Sequence, residues 1–355
     1  MSEEDLDFKA LPKIELHAHL SGSISRQCLH DVWAAKKAAG QEVTLEDPLV
    51  VMPVGKHDYD LKTFFPLFSS YIYHLVNDES SLRATTRAVL ADFAADGVAY
   101  LELRTTPRAL PLSQPPLSKA DYVQTILDTI RAFEEEQGEE DAAAGRHGLR
   151  TKLILSVDRR NTLAQAREVV ALARAFAGRG VVGVDLCGDP AQGGVQALAP
   201  AFAEARDTPG LGLTLHFAEA EASGTDAELA ALLSWGPDRI GHVIHVGEAA
   251  RRGIVARGGM GLELCLSCNV HAGMITGGFE AHHFGDWWRV EECVVVLCTD
   301  DVGVFGSPLS NEYRLVAQHF KLTRKEICTL ARKGIEVIFG GDEEKERLRK
   351  IMWRE

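Results

Sequence analysis

Short apolar runs alternate along this chain with longer segments whose apolar residues recur every three or four positions. The runs are KIELHAHL (13–20), VAYLELR (98–104), TKLILSVD (151–158), VVGVDL (181–186), GLTLHFAE (212–219), DRIGHVI (238–244), GLELCL (261–266) and CVVVLCTD (293–300). Rich in Val, Ile and Leu, they predict eight strands buried on both faces, the habit of parallel sheets. Between them, SLRATTRAVLADFAADG (81–97), LAQAREVVALARAFAG (163–178) and DAELAALLSW (226–235) show helical spacing. In the first, Leu82, Val89, Leu90 and Phe93 fall close to one face. Eight such units predict an α/β fold, a (β/α)8 TIM-type barrel with its chemistry at the C-terminal strand ends.

Residues 24–96 are too long for one crossover helix, and predict extra helices over the C-terminal mouth. PRALPLSQPPL (107–117) is too Pro-rich for a helix or a central strand. EEEQGEEDAAAGRHG (134–148) packs six carboxylates into residues 134–141 and reads as a solvated or disordered loop. No repeat or linker divides the chain, so residues 1–355 are read as one barrel domain.

Polar groups close the strand-like runs. His17 and His19 end the first, and i,i+2 spacing puts both imidazoles on one face. His216 and Glu219 end the fifth, His242 the sixth, Asp300 and Asp301 the eighth. A lone strand-end histidine is ordinarily a hydrogen-bonded structural residue, and an aspartate pair can simply cap the next helix. Four strand ends in barrel order are harder to explain that way. Three histidines and a carboxylate make a zinc-type site that leaves a position for water.

Charge and cysteine usage narrow the class. With 38 Lys+Arg against 51 Asp+Glu the net charge is −13, which disfavours a nucleic-acid partner bound through a broad basic face. No apolar run reaches the ~18 residues of a membrane span, and MSEEDLDFKALPK lacks the apolar core of a secretory signal. Seven scattered cysteines, an odd number, predict free thiols in a reducing cytoplasm. Cys265 and Cys268 form a C-x-x-C without a second pair, which argues against a zinc knuckle.

ELHAHLSGS (15–23), YLELRTTP (100–107), DLCGDP (185–190), LHFAEA (215–220), RIGHV (239–243) and CTDDVGVF (298–305) together resemble the adenosine deaminase family of zinc amidohydrolases. The likeness is closest to its adenosine deaminase-like branch, the N6-methyl-AMP deaminases. It runs through HAHLSGSIS (17–25), ELRTTPR (102–108), VDRR (157–160), LELCLSCN (262–269) and HHFG (282–285). The resemblance implies one Zn2+ per chain, held by His17, His19, His216 and Asp300. His242 and Asp300 would orient and deprotonate the water the metal acidifies. Glu219 would protonate purine N1, Asp301 would meet N7, and the Gly188 N–H would reach N3.

Ser21 stands where adenosine deaminases carry an aspartate for the 5′-hydroxyl, and a neutral hydroxyl leaves room for a 5′-phosphate. His19 would also face the substrate. Thr105, Thr106, Pro107 and Arg108 are expected at the phosphate or ribose, and Asp158 at the ribose hydroxyls, with Arg159 and Arg160 adding charge. Weaker candidates are Lys62 and Thr63 at a helix start, where an ordinary amphipathic helix competes, and His74, whose spacing departs from the branch by about two residues. Phe64, Phe65 and Phe68 read as core, with one of them beside the N6 substituent. His245, His271, His282 and His283 receive no role. The implied activity is zinc-dependent deamination of N6-methyl-AMP and related N6-substituted purine nucleoside monophosphates to IMP and methylamine, by a cytoplasmic monomer. Deamination of adenosine or adenine is the alternative; a non-catalytic barrel scaffold is disfavoured by the complete ligand and acid set.

Overall fold

A computed structural model describes residues 6–53, 55, 56, 59–144 and 147–354, and within it all eight predicted strands form. They are β1 (Lys13–His19), β2 (Val98–Thr105), β3 (Arg150–Asp158), β4 (Val181–Cys187), β5 (Gly212–Phe217), β6 (Arg239–His242), β7 (Met260–Leu264) and β8 (Cys293–Leu297). Each pairs in parallel with the next, giving the sheet order β1 through β8. The ring closes just beyond β8. Ala18 bridges to Asp300, Asp300 N donates to His17 O at 2.8 Å, and His19 N donates to Asp300 O at 3.0 Å. Glu15 pins this seam from inside, its Oε2 accepting from both the backbone N and the Oγ1 of Thr299 at 2.9 Å.

The predicted helices appear as Glu79–Ala95, Leu163–Phe176 and Asp226–Ser234. Side chains define their starts: Asp78 with Ser81, and Thr162 with Gln165, form reciprocal caps that satisfy N–H groups the helix leaves open. Residues 24–96 supply the extra helices, Arg26–Ala38, Pro48–Val51 and Leu61–Leu67 among them. Pro66, which has no N–H to donate, lies at the end of Leu61–Leu67, and the chain widens there into a π turn, Phe68–Ile72. Segment 107–117 holds one bridge, Leu110 to Leu117, and no helix.

The acidic segment corrects its expectation. Residues 134–144 continue the helix Lys119–Ala144, because Glu, Gln and Ala are strong helix formers. Arg150 and Arg87 pair with Glu134 and Glu136 at 3.1 and 2.5 Å, offsetting part of the repulsion. Residues 145 and 146 of that segment lie outside the described ones. Among the described residues no helix is long and apolar enough to cross a membrane.

The barrel interior is charged rather than oily. Arg239 donates to Glu102 Oε2 and Glu263 Oε1, both at 2.6 Å, and to Val337 O at 2.8 Å, with its guanidinium 3.6 Å from the Phe339 ring centre. All three charged side chains are fully buried. Removing the cation takes away the ion-pair partner of Glu102, while Glu263 keeps Arg104. Arg239→Met is expected to lower stability by about 3–5 kcal/mol in urea unfolding.

Candidate active site

Side chains from the ends of four strands, β1, β5, β6 and β8, meet at the C-terminal mouth. Nε2 of His17 and of His19 lie 3.2 and 3.1 Å from Nε2 of His216. Asp300 Oδ1 is 3.6 Å from the first and 3.3 Å from the second. Second partners set the ring orientations. Glu263 Oε2 sits 2.6 Å from His17 Nδ1, and Asp185 Oδ1 sits 3.1 Å from His216 Nδ1. An ionised carboxylate only accepts, so both rings donate through Nδ1 and turn Nε2 inward. Lone pairs of two imidazoles therefore face each other and a carboxylate, an arrangement a divalent cation satisfies and hydrogen bonds do not. The four ligand atoms lie within 4.8 Å of one another.

Burial, reinforced by neighbouring Arg104 and His216, holds His17 and His19 well below the usual imidazole range, so both are neutral, as metal ligands must be. For His216 burial acts in the same direction, but the Asp185 carboxylate outweighs it and raises the ring. Arg104 ties the supports together. Fully buried, it donates to Glu263 Oε2 at 2.7 Å and Leu16 O at 2.6 Å, and lies 3.2 Å from Asp185 Oδ1. The sequence offered no signal for Asp185, Glu263 or Arg104 in these roles, since their partners stand on other strands.

Glu219 and His242 complete the inner site, with Glu219 Oε1 and Asp300 Oδ2 each 3.9 Å from His242 Nε2. Burial raises Glu219 to about 7, which keeps a substantial protonated fraction available near neutrality. Glu219 Oε2, His242 Nε2 and Asp301 Oδ1 are buried without hydrogen-bond partners in the protein. Asp301 occupies the cap position of the helix Val302–Phe305 but makes no side-chain cap, so the capping explanation fails. Burial and the adjacent Asp300 push it well above the carboxylate range. Gly22 makes this possible, because a Cβ there would stand 1.4 Å from Asp301 Oδ1. The Cys268 thiol donates to Asp300 Oδ2 at 2.9 Å; all seven cysteines are free.

His19, His216, Glu219, Asp300 and Asp301 form the inner wall of a cavity of about 360 Å³ that opens through the mouth helices, a size suited to a small ligand. Ser21, Thr105, Thr106, Asp158, Gly188, Lys62 and Arg160 line it as expected. Gly188 adopts φ +99°, where a Cβ would crowd Asp158 Oδ1 at 2.8 Å. Phe64, Phe65 and Phe68 all reach the cavity. So does Tyr73, which the sequence did not single out and which hydrogen-bonds Ser21.

Other candidates lie elsewhere. Arg108 is taken up by Val76 O at 2.8 Å and Tyr73 O at 3.4 Å, carbonyls at the end of the helix Tyr73–Leu75, and stacks 4.5 Å from the Tyr73 ring centre. Pro107 is buried beside it, off the cavity. Thr63 hydrogen-bonds Asp60 at the start of Leu61–Leu67, the ordinary helix role. His74 is exposed and faces no part of the cavity. Arg159 turns inward to pair with Glu228 at 2.6 Å, and Arg160 is partly neutralised by Asp158, its Nη2 2.6 Å from Oδ2.

An eight-stranded parallel barrel with histidines, acids and an open cavity at its C-terminal mouth has the layout of a barrel-type hydrolase. The Adenosine deaminase family model matches residues 12–353, and the chain belongs to that family. It is 35% identical to the N6-Methyl-AMP deaminase of Danio rerio over all of this chain and 97% of that protein. The solved N6-mAMP deaminase of Arabidopsis superposes with a TM-score of 0.84 at 34% identity, over 97% of this chain and 98% of that one. Arabidopsis ADAL complexed with IMP gives the same TM-score and identity, over 97% and 96%.

Glu263 and Asp185 fix the rings of His17 and His216, and so would govern affinity for a metal held there. Glu263→Gln is expected to weaken it by about 10–100-fold, measured as metal retained after dialysis against graded chelator.

Proposed function

We propose that this deaminase hydrolyses N6-methyl-AMP and related N6-substituted purine nucleoside monophosphates, giving IMP and methylamine. One observation carries the choice of a nucleotide. The rim above the reacting end offers the neutral Ser21 hydroxyl with Lys62 and Arg160, and no carboxylate at Ser21 to repel a 5′-phosphate. The relatives support the reading, since the similar Arabidopsis protein was solved with IMP.

His17, His19, His216 and Asp300 would hold one zinc per chain, which when bound supplies Lewis acidity that lowers the pKa of a water molecule toward neutrality. The remaining work falls to the chain. Glu219, in its protonated form, donates to purine N1 and makes C6 electrophilic. His242 and Asp300 face the same point, orienting the attacking water and handling its proton. Asp301, held protonated, donates to N7, and the Gly188 N–H reaches N3. Asp158 accepts from ribose hydroxyls. Phe64, Phe65 and Phe68 give the N6 substituent apolar surroundings and exclude bulk water. Addition at C6, with the proton the water loses passed on to the departing nitrogen, then expels methylamine. The free cysteines support a reducing cytoplasm as the setting, with a monomer acting on free nucleotide.

Steady-state kinetics on N6-methyl-AMP, AMP and adenosine test the substrate. The highest kcat/KM is expected for N6-methyl-AMP, and a maximum for adenosine would overturn the nucleotide reading. Glu219→Gln is expected to keep its metal while kcat falls about 100- to 10,000-fold. Ser21→Asp should raise KM for N6-methyl-AMP and spare N6-methyladenosine; equal effects on both would remove Ser21 from the phosphate subsite.

A further inference from the structure

His242 is gripped from behind by a chain of buried groups that the mechanism above does not use. Phe284 N lies 3.0 Å from His282 Nδ1, and His282 Nε2 lies 3.3 Å from Asn269 Oδ1. Asn269 Nδ2 is 3.1 Å from His242 Nδ1. A second clamp holds the backbone, with His283 Nε2 donating to His242 O at 2.5 Å. That carbonyl belongs to a residue at φ +62°, left-handed backbone that a histidine seldom adopts.

Only one assignment of protons satisfies this chain. A backbone N–H donates, so His282 Nδ1 accepts. Burial pushes His282 down to about 2, so the ring is neutral and carries its single proton on Nε2. That N–H must meet an acceptor, which makes the facing atom of Asn269 its amide oxygen. The Asn269 nitrogen therefore faces His242, and an amide nitrogen donates. His242 Nδ1 accepts, and the ring proton resides on Nε2. This atom points into the site, where it has no protein partner and stands 3.9 Å from both Glu219 Oε1 and Asp300 Oδ2.

We infer that His282 and Asn269 are positioning residues that hold His242 as the Nε2–H tautomer, a hydrogen-bond donor to the attacking oxygen. The consequence rests on the hydrolytic reading above and divides a task that reading left shared. His242 donates its N–H and keeps it. Asp300 accepts the proton the water loses, its Oδ2 turned toward the same point. The HHFG and LELCLSCN motifs thereby acquire a common purpose, the direction of one hydrogen bond.

The tautomer is directly readable. In enzyme labelled with 15N at its histidine rings and free of substrate, correlation spectra should give His242 a protonated Nε2 and a bare Nδ1. A His242→Gln variant assigns the signals. Asn269→Asp replaces the donor with an acceptor of equal size, so the proton is expected to move to Nδ1. Its kcat should fall about 10–100-fold, as for other supports of site histidines, with KM little changed. His282→Gln keeps an N–H toward Asn269 and should preserve both tautomer and rate. A wild-type ring protonated on Nδ1, or an Asn269→Asp enzyme with unaltered tautomer or kcat, overturns the inference. The wild-type spectrum decides even where a variant fails to fold. Inactivity toward N6-methyl-AMP would sink the proposed substrate and leave the tautomer result standing.

Discussion

The Arg104 guanidinium, sealed inside the barrel beneath three histidines, is the charge on which the site's geometry depends. Removing a cation from water costs several kcal/mol unless partners repay it. Here the partners are Glu263 and Asp185, each of which also holds one of those histidines. Cations keep the two carboxylates ionised where burial alone would protonate them: Arg104 with Arg239 holds Glu263, and His216 with Arg104 holds Asp185, below the ordinary range. Ionised, they can only accept, and the histidines can present only one nitrogen to the centre. Glu263 also accepts from Thr214 Oγ1 at 2.9 Å and from Arg239, which carries the network down to the barrel floor. Orientation at the mouth is inherited from charge pairing many ångströms below.

Backbone strain concentrates at the same level. Ala218, His242, Val243 and Asp300 all have φ between +54° and +62°, and a β-branched valine tolerates this poorly. Such conformations cost of order 1–3 kcal/mol each and persist where surroundings over-determine them. The surroundings are visible: Val243 N donates to Phe217 O at 3.0 Å, and His245 N to Ala218 O at 2.8 Å. A regular strand would carry His242 past the site. The left-handed turn brings its ring back over the pocket, with His283 holding the carbonyl.

The strands and the cluster of His17, His19, His216 and Asp300 could be read from sequence because both are local. Val/Ile/Leu runs mark the strands, and a polar residue at the end of each marks the mouth. Pairings between distant strands could not be read that way. Arg108 and Arg159 looked like phosphate ligands by position alone; one is consumed by helix-end carbonyls and the other by Glu228. Phe64, Phe65 and Phe68 do pack in or against the core, and all three, not only one of them, also wall the cavity. The acidic run 134–141 was misjudged through its charge, when its helix-forming residues governed. His282 and Asn269 stood inside recognised motifs without a role, since hydrogen-bond direction depends on what they face.

The barrel seam has a consequence for how the chain is made. Glu15 and Thr299 are 284 residues apart, and the Ala18 bridge to Asp300 spans nearly as much chain. At roughly 5–20 residues per second of synthesis, β1 waits on the order of 15–60 s for its final neighbour. Throughout that interval His17 and His19 exist without Asp300, and β1 has an open edge. Contacts so distant in sequence form late and slowly. A cation that joins β1 to the segment after β8 would bind the closed ring far better than any open form, acting as a latch on the last step of folding.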